Sequence, residues 1–172
     1  MAARACLLAE GDAMRLFRKK EEAPPPPSPS PAPAPARPLL TVVVVDDTED
    51  IRSLMRIALE RAGFKVVADA ADGEEAIVVA GEHKPDIILL DLHMPGLGGL
   101  EALPRLLRAS PRSRVVVFSA MAATRMLEAA FDAGASGYIV KGVSPKRIAE
   151  HLRRVATSGA VRPVQPWPLA GG

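Results

Sequence analysis

Between Thr41 and Ser158 the chain alternates, five times over, a short run of β-branched or aliphatic residues with a longer stretch whose apolar residues recur every three or four positions. This alternation constrains the fold more than any other feature. TVVVVDD opens the series, and such a run suits a strand buried on both faces. Ile51, Leu54, Met55, Ala58, Leu59 and Ala62 then follow the i, i+3, i+4, i+7, i+8, i+11 spacing of a helix with one apolar face, stopped by Gly63. FKVVADA precedes a helix over 73–82, and DIILLD precedes one near 98–109. RVVVFSA precedes a helix near 121–133, and SGYIV precedes a last helix over 145–158. Ser144 and Pro145 suit the start of that last helix, Ile148, Leu152 and Val155 supply its buried stripe, and Gly159 ends it. Five strands alternating with five helices imply an α/β fold, a parallel sheet with helices on both faces.

The globular part is expected over 39–159, with an N-terminal tail over 1–23, a linker over 24–38 and a C-terminal tail over 160–172. The linker reads PPPPSPSPAPAPARP, and nine of its fifteen residues are proline, so neither helix nor sheet can propagate through it. Extended polyproline II would make it a spacer of about 45 Å. Arg15, Arg18, Lys19 and Lys20 form a basic cluster read as a solvated tail, and Met14 offers a second start. The tail AVRPVQPWPLAGG is broken by proline, which makes Trp167 a tail residue rather than a core one. A net charge of +2 gives no footprint for nucleic acid, so DNA is not expected as a partner of this chain alone. No apolar run reaches the roughly 18–20 residues of a membrane span. With Cys6 as the single cysteine, a disulfide framework is excluded, and the cytoplasm is the expected compartment.

The polar residues at the strand ends carry the chemistry. Asp46 and Asp47 follow the first strand, Asp91 the third, Ser119 the fourth and Lys141 the fifth. All lie at the carboxyl edge of the expected sheet, where ligands of such folds bind. A single Asp after a strand is most often a helix cap, and Asp72, just before Gly73, is read as one. Three acids at matching edges with a lysine and a hydroxyl call for another account. Three carboxylates repel one another, Lys141 cancels one charge, and one divalent cation balances the remaining two. Oxygen-only donors in a solvent-facing site suit Mg²⁺. A cation there can neutralise an incoming phosphoryl group in line with a carboxylate nucleophile, for which Asp91 is the candidate.

The ordered set VVVVDD, DLHMPGLGG, VVVFSA and GYIVKG resembles the receiver domain of bacterial two-component response regulators, over residues 40–158. The resemblance implies a flavodoxin-like, three-layer doubly wound sheet with strand order 2-1-3-4-5. It implies that Asp91 is the phospho-acceptor, that Asp47 binds Mg²⁺ directly and that Asp46 does so mainly through water. The backbone carbonyl of His93 would be a further metal ligand. By the same resemblance Ser119 is the switch hydroxyl, Tyr138 the switch aromatic, and Lys141 the contact to the phosphoryl oxygens. The His93 side chain would border the phosphoryl group. His83 and His151 are read as helix-end or helical surface residues, so no zinc site is expected. Two departures stand out. Gly98 replaces an acid that would cap the third helix, at a cost under ~1 kcal/mol, and Met121, near the path of an attacking water, cannot orient it.

The implied partners are a histidine kinase or a histidine phosphotransfer protein, and a downstream protein that reads the face of the fourth helix, fifth strand and fifth helix. The same face offers a route to a homodimer. On phosphorylation Tyr138 is expected to move from exposed to buried. The leading function is a stand-alone phosphoacceptor rather than an enzyme acting on a separate substrate. The alternative is the receiver part of a DNA-binding transcriptional regulator whose output domain is absent from this chain. Two further alternatives are weaker. A haloacid-type phosphatase would carry a second acid where His93 stands, and a degenerate receiver would lack the full set of acids, serine and lysine.

Overall fold

The computed structural model describes residues 39–121 and 123–158. The expectations for the N-terminal tail, the proline linker, Gly159 and Trp167 fall outside the described residues. Five strands, β1 Thr41–Val45, β2 Lys65–Ala70, β3 Ile87–Leu90, β4 Arg114–Ser119 and β5 Gly137–Val140, form one parallel sheet in the order β2-β1-β3-β4-β5. The helices are α1 Glu49–Arg61, α2 Gly73–His83, α3 Gly99–Ala109, α4 Thr124–Asp132 and α5 Pro145–Ser158. This is the doubly wound architecture and strand order expected.

The alternation of side chains along each strand splits the core in two. Val43, Val45, Ile88, Leu90, Val115, Val117 and Tyr138 pack with Ala76, Ala80, Leu103, Leu106 and Ala130, so α2, α3 and α4 cover this face. Val42, Val44, Ile87, Leu89, Val116, Phe118 and Ile139 pack on the other face with Met55, Leu59, Ile148, Leu152 and Val155 of α1 and α5. Burial of each such aliphatic side chain contributes about 2 kcal/mol. β3 is buried along its whole length, and β1 at all but Thr41, which explains their unbroken apolar runs.

Several boundaries have local causes. Asp72 caps α2, its carboxylate accepting from the Glu75 amide at 2.9 Å, as expected. Gly98 precedes α3 without a side-chain cap. α4 starts at Thr124 rather than near 121. The Met121 amide and carbonyl are both engaged by side chains, Ser119 Oγ at 3.3 Å and the Tyr138 hydroxyl at 2.6 Å, which holds this residue in the loop.

Two expectations are corrected. Leu54 does not join the apolar face of α1: it is 57% exposed, because α1 meets the sheet through Met55 and Leu59. His151 is not a surface residue. It is 1% exposed, lies beside Leu152 and Val155 in the buried stripe of α5, and leaves both ring nitrogens without a hydrogen-bond partner among the described residues. Gly137 makes room for it, since a Cβ there would stand 2.7 Å from His151 Nε2.

Candidate functional site

The parallel sheet brings the carboxyl ends of β1, β3, β4 and β5 to one edge, and the residues just past those ends converge there. Asp46 continues the β1 ladder, its amide donating to the Ala70 carbonyl at 3.1 Å. Asp91 continues β3 in the same way, donating to the Val45 carbonyl at 2.9 Å. Both carboxylates are therefore carried on sheet backbone and are buried, whereas Asp47, one residue further on, is exposed. Asp46, Asp47 and Asp91 can each offer a carboxylate oxygen within 4.8 Å of the others.

Lys141 follows β5, its amide tied to the Ser119 carbonyl at 2.8 Å. Its Nζ donates to Asp46 Oδ2 at 2.7 Å and to Asp91 Oδ2 at 2.9 Å. Burial by itself would lower the lysine pKa, but these two carboxylates more than reverse that and raise it above 10.5. The ammonium also lies 5.5 Å from the centroid of the Phe118 ring, within cation–π range. Among the described residues, the remaining donors to Asp46 and Asp91 are backbone amides. Asp46 Oδ1 accepts from Thr48 N at 3.0 Å, and Asp91 Oδ1 from His93 N at 3.3 Å. The His93 side chain is exposed.

Gly99 decides how closely α3 approaches this edge. A Cβ there would fall 1.9 Å from the Asp91 carbonyl oxygen, so only glycine lets the helix start against the loop that carries Asp91. Ser119 is fully buried at the end of β4, and its Oγ accepts from the Met121 amide. Tyr138 is already turned inward and fully buried, its hydroxyl on the Met121 carbonyl. Burial raises its pKa, with contact to the Ser119 hydroxyl opposing and the Asp91 charge adding. The exposed position from which Tyr138 is expected to start is thus not the one described. All the residues singled out at the strand ends do gather at one edge.

Sequence reasoning passed over two residues that shape the site. One is Gly99, whose signal was only its place in the GG pair. The other is Arg52, which donates from Nη1 to the Asp46 backbone carbonyl at 2.7 Å.

Residues 42–153 match the response regulator receiver domain family. The chain belongs to this family. It is 35% identical over 115 residues to the chemotaxis protein CheY of Thermotoga maritima, covering 67% of this chain and 96% of that protein. It is 37% identical over 118 residues to the response regulator GacA of Pseudomonas aeruginosa, 68% of this chain but only 55% of that longer protein. Among solved structures, a CheX–CheY–BeF₃–Mg²⁺ complex from Borrelia burgdorferi superposes with a TM-score of 0.65 at 27% identity, covering 67% of this chain and 88% of that one. The chain is therefore a two-component signalling protein of the receiver type. Among the described residues, no helix is long and apolar enough to cross a membrane.

The donor set of this receiver fits a hard divalent cation. It is made of carboxylate oxygens, with Asp47 open to solvent and Lys141 the cation paired to both buried acids.

Proposed function

We propose that this receiver accepts a phosphoryl group on Asp91 from the phosphohistidine of a histidine kinase or histidine phosphotransfer protein. In that step the P–N bond breaks as an Asp91 oxygen bonds to phosphorus, and the departing imidazole nitrogen takes up a proton. The observation that supports this most is the Asp91 carboxylate itself. It is buried at the sheet edge, held by Lys141 Nζ on one oxygen and the His93 amide on the other, beside two further acids. Asp46, Asp47, Asp91 and the backbone carbonyl of His93 would hold Mg²⁺, which supplies charge neutralisation for the transferring group. The Mg²⁺ in the Borrelia complex supports that choice of ion.

Lys141 stands where it can meet a phosphoryl oxygen on Asp91 while keeping its bond to Asp46. The Ser119 hydroxyl accepts from the Met121 amide and so keeps its own proton to donate to that group. Ser119 touches Met121, and Met121 touches Tyr138, so a pull on Ser119 reaches the tyrosine through two hydrogen bonds. The readout surface is then α4, β5 and α5, open to a downstream protein or to a second copy of the chain, in the cytoplasm. The described conformation, with Tyr138 inward, is the one phosphorylation would favour, by population shift.

The test is incubation with acetyl phosphate and Mg²⁺ followed by intact mass measurement. An acid-labile gain of one phosphoryl group is expected, absent without Mg²⁺ and absent in Asp91→Asn. No adduct, or an adduct that persists in Asp91→Asn, refutes the assignment.

A further inference from the structure

Asp47 is the acid with the weakest hold on its own position. It is exposed, and among the described residues its carboxylate accepts one hydrogen bond, from Thr48 Oγ1 at 3.3 Å. Its placement therefore depends on the peptide that joins it to Asp46. That peptide is fixed by Arg52, one turn into α1, whose Nη1 donates to the Asp46 carbonyl oxygen at 2.7 Å. The Asp46 amide is held by Ala70 and its carboxylate by Lys141, so Arg52 closes the last free direction of the residue.

Arg52 is itself held. Its Nε donates to Asp69 Oδ2 at 3.1 Å, and Asp69 lies on β2. The other oxygen of Asp69 pairs with Nη2 of Arg56, one helical turn after Arg52. Arg56 Nη1 donates to the Val66 carbonyl at 3.3 Å and lies 4.0 Å from Glu60. The acid loop is thus tied to β2 through an arginine whose side chain is only 16% exposed. Two arginines face two acids in this cluster, so its charges cancel. That matters beside a cation site: an unpaired guanidinium would repel the metal, whereas a paired one can hold the loop without adding net charge.

We infer that Arg52 is a positioning residue for the divalent cation, setting the Asp46–Asp47 peptide so that Asp47 faces the site, with Asp69 holding and neutralising it. The inference rests on the cation-binding reading of the three acids.

Charge and position make opposite predictions, which gives the test its sign. Removing a positive charge near the acids should tighten cation binding if charge alone acts. Removing the tie to the Asp46 carbonyl should weaken it. Mn²⁺, read by the loss of its free electron paramagnetic resonance signal, is titrated into the full chain and its variants without any phosphodonor. Thermal unfolding is followed in parallel. Arg52→Met, which keeps the aliphatic stem, is expected to weaken Mn²⁺ binding on the order of 10-fold, as loss of an outer-shell support does. Arg52→Lys, which keeps the charge but cannot make both bonds, should fall in the same direction and stands in if the methionine variant does not fold. Asp69→Asn should weaken binding in a way that added KCl reverses, since it unpairs a charge, while the Arg52→Met defect persists in KCl. Unchanged or tighter Mn²⁺ binding in both Arg52 variants overturns the inference, whatever happens to their melting temperatures. Failure of the unaltered protein to bind Mn²⁺ is a separate result: it removes the cation-binding reading, and the inference with it.

Discussion

His151 should make this domain sensitive to mild acid. The residue is 1% exposed, and neither ring nitrogen has a hydrogen-bond partner among the described residues. Burial, with the nearby Arg154 charge, lowers its pKa from 6.5 to about 4. Above the ordinary value both folded and unfolded chains carry a neutral ring, and nothing is lost. As pH falls below it, the unfolded chain takes up a proton that the folded chain refuses, and stability drops until the folded value is passed. At about 1.4 kcal/mol per pH unit, the loss reaches about 2 kcal/mol by pH 5 and about 3 kcal/mol below pH 4. Against a total stability of about 5–15 kcal/mol, that is a large share. Urea unfolding at about pH 7 and about pH 5, without divalent ions, measures it in the unaltered protein and in His151→Leu. Leucine has a similar volume, cannot titrate and leaves no orphaned nitrogen. The unaltered protein should lose about 2 kcal/mol more than the variant between the two pH values. The carboxylates titrate in both proteins, so their contribution cancels in the comparison. Equal losses in the two proteins would refute the reasoning, and so would an NMR titration of the His151 ring with a midpoint near 6.5.

Two more outcomes follow from the site. Lys141→Met leaves the buried Asp46 and Asp91 carboxylates without their shared cation and should cost about 3 kcal/mol in the absence of divalent ions, measured by denaturant unfolding. Because the Lys141 pKa is raised, its contribution is full below 10.5 and fades as pH climbs through the raised value, so only the unaltered protein should show this alkaline loss. Gly99→Ala places a Cβ against the backbone of Asp91, which cannot yield as a flexible side chain would. A loss of about 3 kcal/mol is expected, together with slower phosphorylation by acetyl phosphate.

Much of this architecture is legible from residues close together in the chain. The β-branched run at Thr41–Val45 and the Ile148, Leu152, Val155 stripe reflect local periodicity, and both elements form as read. Asp72 was legible as a cap for the same reason, since a cap and its amide lie three residues apart. The convergence of Asp46, Asp91, Ser119 and Lys141 was also accessible, because a parallel sheet places every strand's carboxyl end on one edge. The misses share a cause. Leu54 and His151 obey helical spacing, but spacing gives the relative angle of residues around a helix and not which neighbours cover the margin of its stripe. Leu54 falls just outside the cover of the sheet, and His151 falls just inside it, where Gly137 leaves room.

The sequence by itself determined the order of strands and helices, the edge at which the acids gather and the charge that edge must balance. These follow from patterns within one element and from the handedness of parallel crossovers. Tertiary structure alone decided the contacts between elements: Lys141 bridging two acids from different strands, Arg52 reaching back to the Asp46 carbonyl, and Tyr138 turned inward onto Met121. Each depends on packing distances between segments far apart in the chain or on one side chain's rotamer, which no local pattern encodes.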